Sequence, residues 1–135
     1  MKLLKVPVIS IVDDDESVRE ATQSLVRSLG YRAVTFRSAK EFLESPHLTA
    51  TACLITDVQM PGLGGADLQD RLIAEGRHFP VIFVTAFVDE GLQAHVLTRG
   101  AVGYLAKPFN EDRFIECIDA AIGVNARSFL LEPTG

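Results

Sequence analysis

The sequence holds no apolar run near the roughly 20 residues that span a bilayer, only two cysteines, and no excess of positive charge. The first absence excludes a spanning helix. The second excludes a disulfide framework: Cys53 and Cys117 lie in apolar surroundings, form no Cys-x-x-Cys, and read as reduced, buried thiols of a cytoplasmic protein. The third argues against a nucleic-acid face, because 13 basic residues stand against 18 acidic ones, a formal net charge of −5, and phosphate contacts need clustered Lys and Arg. The start, residues 1–6, has a basic flank, but its apolar stretch runs on to Asp13-Asp14-Asp15, unlike a signal peptide. What is present is 135 residues, 47% hydrophobic and 23% charged, enough for one packed domain with its own core.

Short apolar runs alternate with helical patterns. Residues 7–12, 31–36, 52–57, 80–85 and 101–106 read as strands. Helices are expected over residues 16–29, about 38–44, 66–75, 89–99 and from Asn110 onward. Ser38 reads as a cap with Glu41 as its capping-box partner, Asp15 as a further cap, and Gly30 and Gly100 as stops. The fourth helix is the weakest, with Gly91 in its first turn. The last has an inner face of Phe114, Ile115, Ile118, Ala121 and Ile122, and residues 124–135 carry no clear pattern. Five βα units predict an α/β domain: a doubly wound (βα)5 fold with a five-stranded parallel sheet and helices on both faces.

Ligands of such sheets bind at the carboxyl ends of the strands. Asp13 and Asp14 leave the first strand, Asp57 the third, Thr85 the fourth and Lys107 the fifth. Three carboxylates at one edge repel by about 3 kcal/mol per pair at ~5 Å. Lys107 offsets part of this, and a hard divalent cation suits the rest. A metal beside a carboxylate, with a lysine and a hydroxyl for further oxygens, suits that carboxylate to accept a phosphoryl group. Taken alone, an acid at a strand end is usually a helix cap, and Thr85 an ordinary strand residue. The set of them, with a lysine before a proline, has little structural excuse. His47, His78 and His95 show no ligand spacing and are expected to face solvent.

These residues stand in four motifs: Val12-Asp13-Asp14-Asp15, Thr56-Asp57-Val58-Gln59-Met60-Pro61-Gly62, Val84-Thr85-Ala86 and Gly103-Tyr104-Leu105-Ala106-Lys107-Pro108-Phe109. In this order, over residues 7–122, the chain resembles the receiver domain of two-component response regulators. The spacing from Thr85 to Tyr104, with no insertion, is similar to that of the FixJ-like subgroup. The resemblance implies a flavodoxin-like fold with strand order 2-1-3-4-5. It implies that Asp57 is the phosphoacceptor, that Asp13, Asp14, Asp57 and the carbonyl of Gln59 hold Mg2+ (Mn2+ or Ca2+ able to substitute), and that Thr85 and Lys107 grip the phosphoryl group. Tyr104 matches the aromatic switch, which turns inward once Thr85 moves. Lys107–Pro108 matches the family's cis peptide. Gln59 and Phe87 occupy the two positions that tune rate.

The implied function is a signalling phosphoacceptor that catalyses only its own phosphorylation and dephosphorylation. A sensor histidine kinase donates the phosphoryl group, and the surface of helix 4, strand 5 and helix 5 then changes to control a homodimer or a transcriptional output partner. No nucleic acid or membrane is expected to bind this domain directly. Residues 1–124 would form the receiver and 125–135 a tail or the start of a linker. A haloacid-dehalogenase-type phosphatase would need an acid where Gln59 stands and a cap domain that the length leaves no room for. A flavodoxin-type binder would need a Gly/Ser/Thr-rich first loop, whereas here it reads Asp-Asp-Asp-Glu. A degenerate receiver that only docks proteins would not need the complete residue set.

Overall fold

The computed structural model describes the backbone of residues 6–131 and the side chains of residues 6–123. Five strands alternate with five helices: β1 (Val8–Val12), α1 (Glu16–Ser28), β2 (Arg32–Phe36), α2 (Ala39–Leu43), β3 (Thr51–Asp57), α3 (Gly65–Ala74), β4 (Val81–Thr85), α4 (Glu90–Thr98), β5 (Gly103–Ala106) and α5 (Glu111–Leu131). The sheet runs β2-β1-β3-β4-β5 with every pairing parallel. This is the flavodoxin-like order, and the switch in direction falls between β1 and β3, where a crevice opens at the carboxyl edge.

Two cores result, because alternate side chains of a strand face opposite sides. On one face Ile9, Ile11, Ile55 and Ile82 meet Val26 of α1 and Phe114, Ile118 and Ala121 of α5. On the other, Val12, Leu54 and Phe83 meet Phe42, Leu68, Leu72 and Val96 of α2, α3 and α4. Inside the sheet the polar side chains pair: the Ser10 and Thr51 hydroxyls lie 2.7 Å apart.

The helix starts follow side-chain chemistry. Asp15, Ser38, Asp89 and Asn110 each accept a hydrogen bond from the amide three residues on, at 3.0–3.1 Å. The Glu41 carboxylate reaches back to the amide of Arg37, one residue before the cap and not the cap itself. α4 forms despite Gly91, yet buries only Val96.

Four expectations need correction. Ile115 is half-buried and off the inner face of α5, since Phe114, Ile118 and Ala121, spaced four and three apart, define that face. Cys117 lies at its flank and is half-buried, not buried like Cys53. The helix also continues past residue 124 to Leu131, where the sequence shows no apolar period. His78 and His95 are exposed, while His47 is half-buried.

Candidate functional site

The carboxyl edge of the sheet gathers Asp13 and Asp14 beyond β1, Asp57 at the end of β3, Thr85 at the end of β4 and Lys107 beyond β5. Hydrogen bonds between strand ends draw this edge together. The Asp13 amide donates to the Phe36 carbonyl at 3.1 Å, Val58 to Val84 at 3.0 Å and Lys107 to Thr85 at 2.7 Å. The Lys107–Pro108 peptide is cis.

Lys107 Nζ donates to Asp13 Oδ2 and to Asp57 Oδ2, both at 2.9 Å. The second oxygen of each acid faces its own loop. Asp13 Oδ1 accepts from the Asp15 amide at 2.9 Å, and Asp57 Oδ1 from the Gln59 amide at 3.0 Å. Both acids are buried, and Asp14 is exposed beside them. Burial raises the Asp13 carboxyl above its ordinary value, although the Lys107 and Asp15 bonds pull it back. Burial also lowers the Lys107 ammonium, but the bonds to Asp13 and Asp57 outweigh it, and its pKa is raised. The lysine is thus held charged between the acids, one of which is reluctant to ionise.

One carboxylate oxygen from each of Asp13, Asp14 and Asp57 lies within 4.8 Å of the others. That spread suits one small hard cation. Each buried oxygen accepts a single hydrogen bond among the described residues, which leaves a lone-pair direction for a metal. The Gln59 backbone lies against Asp57 through its amide, and its side chain is exposed.

Thr85 is fully buried and its hydroxyl is engaged locally. It donates to the Phe87 carbonyl at 3.0 Å and accepts from the Phe87 amide at 3.1 Å. Phe87 itself is 70% exposed. Tyr104 is already buried, and its hydroxyl accepts from the Asp89 amide at 3.4 Å. A groove of about 230 Å3 adjoins the site, lined by Val18, Ala21 and Leu25 of α1 and by Lys107, Pro108 and Phe109.

Two contributors escape the motif reading. Arg19, one turn into α1, donates through Nη1 to the Asp13 carbonyl at 2.9 Å and braces the acidic turn. Gly65 opens α3 against the end of β3, where a Cβ would collide with the Asp57 carbonyl and press on Phe83. The Gly64-Gly65 doublet after Asp57 was the available signal for the second. No sequence signal marks the first beyond its position one turn past the cap.

The parallel sheet, with an acidic pocket bridged by a lysine at its carboxyl edge, defines a doubly wound α/β domain. The chain belongs to the response regulator receiver domain family, matching it over residues 9–119. It is 38% identical over 114 residues to nodulation protein W of Bradyrhizobium diazoefficiens, covering 84% of this chain and 50% of that protein. It is 35% identical over 114 residues to the transcriptional regulatory protein FixJ of the same organism, covering 84% and 56%. The structure of the response regulator StyR superposes with a TM-score of 0.85 at 35% identity, over 96% of this chain and 66% of that one. Full-length FixJ from B. japonicum gives 0.76 at 35% identity, over 86% and 57%. The chain therefore sides with the FixJ-like regulators of two-component systems, and it spans about half the length of the curated relatives it matches. Among the described residues no helix is long and apolar enough to cross a membrane.

Proposed function

We propose that Asp57 accepts a phosphoryl group from the phosphohistidine of a sensor kinase, in a reaction that depends on Mg2+. The observation that carries this reading is the bridge from Lys107 Nζ to Asp13 and Asp57, with Asp14 alongside. An Asp57 carboxylate oxygen attacks phosphorus, the P–N bond to the donor imidazole breaks, and the imidazole leaves carrying a proton. Lys107 follows the charge onto the phosphoryl oxygens. Asp13, Asp14, Asp57 and the Gln59 carbonyl would hold Mg2+, which supplies charge neutralisation for the incoming phosphoryl oxygens. The apolar groove beside Lys107 offers the kinase a surface next to the acceptor.

Once the acyl phosphate forms, Thr85 exchanges its bonds to Phe87 for one to a phosphoryl oxygen, and the turn before α4 rearranges. Tyr104 starts from an inward position and its bond to the Asp89 amide couples it to the same turn. The surface of α4, β5 and α5 then switches between two arrangements that favour a homodimer or an output partner. Phe87 screens the phosphoryl group from water and Gln59 supplies no acid to aid hydrolysis, so the phosphorylated state is long-lived.

Residues 1–124 act as the receiver, and 125–135 as a tail or the start of a linker; the relatives are about twice this length. The output is transcriptional and the setting cytoplasmic. The chain acts on no substrate beyond its own aspartate. The test is intact mass after acetyl phosphate and Mg2+: one phosphoryl gained by wild type and none by Asp57→Asn. Equal gain by both overturns the assignment, and no gain by wild type favours a docking module.

A further inference from the structure

α4 is the least buried helix that the site touches, and its two ends are held differently. Its amino end follows the Thr85–Phe87 turn, where Phe87 and Val88 are exposed and the Asp89 amide meets Tyr104. Its carboxyl end is tied to α3 at two points by neighbouring residues. Gln69 Nε2 donates to the Val96 carbonyl at 3.0 Å, and Asp70 Oδ1 accepts from Arg99 Nε at 2.7 Å.

Gln69 is an unusual choice for this place. It is 3% exposed, and its Oε1 finds no donor among the described residues. A buried carbonyl oxygen left unpaired is unfavourable, so a leucine of similar size would suit stability at least as well. What the amide adds is directional: it holds a carbonyl in the last turn of α4, one of the groups that a helix end leaves without an intrahelical partner. The same carbonyl also accepts from the Ala101 amide at 3.0 Å, so Gln69 reaches the point where α4 turns toward β5. Val96, the one buried residue of α4, stands at that point.

We propose that Gln69 is a positioning residue for the switch: with Asp70 it fixes the carboxyl end of α4 to α3, so that rearrangement at Thr85 tilts the helix about Val96. This rests on the reading of Asp57 as phosphoacceptor. From Glu90 to Val96 the helix offers a lever of about 9 Å at 1.5 Å per residue. A fixed far end converts movement of the Phe87 carbonyl into a swing of the exposed Phe87–Val88 patch. A free far end would let α4 slide bodily and dissipate it.

Gln69→Leu and Asp70→Asn test the clasp, the second at a half-exposed side chain whose loss leaves the core intact. Amide hydrogen exchange is followed with and without acetyl phosphate and Mg2+, with phosphoryl uptake read by intact mass on the same samples. In wild type, phosphorylation changes exchange over residues 86–92 and leaves 96–101 unaltered. In Gln69→Leu, uptake is retained and the change spreads to 96–101, where Gly100 and Ala101 exchange roughly tenfold faster, as expected for one lost hydrogen bond. Asp70→Asn shows the same spread to a smaller extent. Uptake with an even response along α4 in wild type, or a spread identical in all three proteins, overturns the clasp and leaves the phosphoacceptor standing. No uptake by wild type overturns the phosphoacceptor, and the clasp's role with it.

Discussion

Lys107 Nζ donates to Asp57 Oδ2 at 2.9 Å although the two residues are 50 positions apart in the chain. The bond closes the site across β4, because Lys107 is held by its own amide to the Thr85 carbonyl. The same ammonium also serves Asp13, so one cation balances two buried acids while Asp14 adds a third charge from the solvent side.

That imbalance predicts a stability gain on neutralising Asp13. Asp13→Asn keeps an acceptor for the Asp15 amide, gives up the Lys107 bond while Asp57 still holds that ammonium, and removes a charge that burial disfavours. Metal-free Asp13→Asn is expected to be more stable than wild type by on the order of 1 kcal/mol, with weaker Mg2+ binding. Thermal unfolding with and without Mg2+ reads both effects. A lower melting temperature for the metal-free variant counts against the electrostatic account.

The pH dependence has a definite sign. The Asp13 pKa is raised above 3.8 in the folded protein, so its contribution is fully favourable below 3.8 and is lost as pH rises through the folded value. The Lys107 pKa is raised above 10.5, so its contribution is present below 10.5 and is lost above it. Metal-free protein should therefore lose stability in two steps as pH rises, one on the acid side and one at the alkaline end. Denaturant titrations across pH measure this, and Asp13→Asn should abolish the acid-side step and shrink the alkaline one, since Asp13 is one of the two acids that raise Lys107.

Gly65→Ala should be costly although the substitution is small. Its methyl would meet the Asp57 carbonyl, which is backbone and cannot swing aside. Overpacking of this kind costs about 1–3 kcal/mol. Chemical denaturation measures the loss, and phosphoryl uptake from acetyl phosphate should fall with it as the end of β3 is displaced.

The two thiols should react in a fixed order. Cys53 is fully buried and its thiol is pushed up to about 12, whereas Cys117 is half-buried at the flank of α5. A thiolate-specific reagent near neutral pH is expected to modify Cys117 first, and Cys53 only at the rate at which the fold opens. Equal rates in native protein would contradict the burial of Cys53.

Phe87→Glu should shorten the life of the phosphorylated protein by several-fold. The side chain is already solvent-exposed, so the change leaves the core untouched and places an acid where a hydrolytic water could be oriented. Decay of the phosphorylated form, followed by intact mass, is the measurement. Equal decay removes Phe87 from the account.

Strand runs and the acids, threonine and lysine at their ends were legible in the sequence, since parallel strands buried on both faces are continuously apolar and their ends are polar. The four helix caps were legible because Asp, Ser and Asn act locally. Contacts that depend on distant chain meeting distant chain were not. Arg19 bonds a carbonyl, which no side-chain motif advertises, and Gly65 matters only because β3 passes beneath it. The length of α5 exceeded its apolar pattern, since backbone hydrogen bonds carry a helix on without an apolar stripe.

The closed ring that Thr85 forms with the Phe87 backbone puts a cost on any new partner for this hydroxyl. An ordinary anion drifting into the pocket must win a hydroxyl whose donor and acceptor roles are both already taken. Any group that takes the Thr85 hydroxyl must first open this ring, so the loop sets a threshold against weakly held ligands.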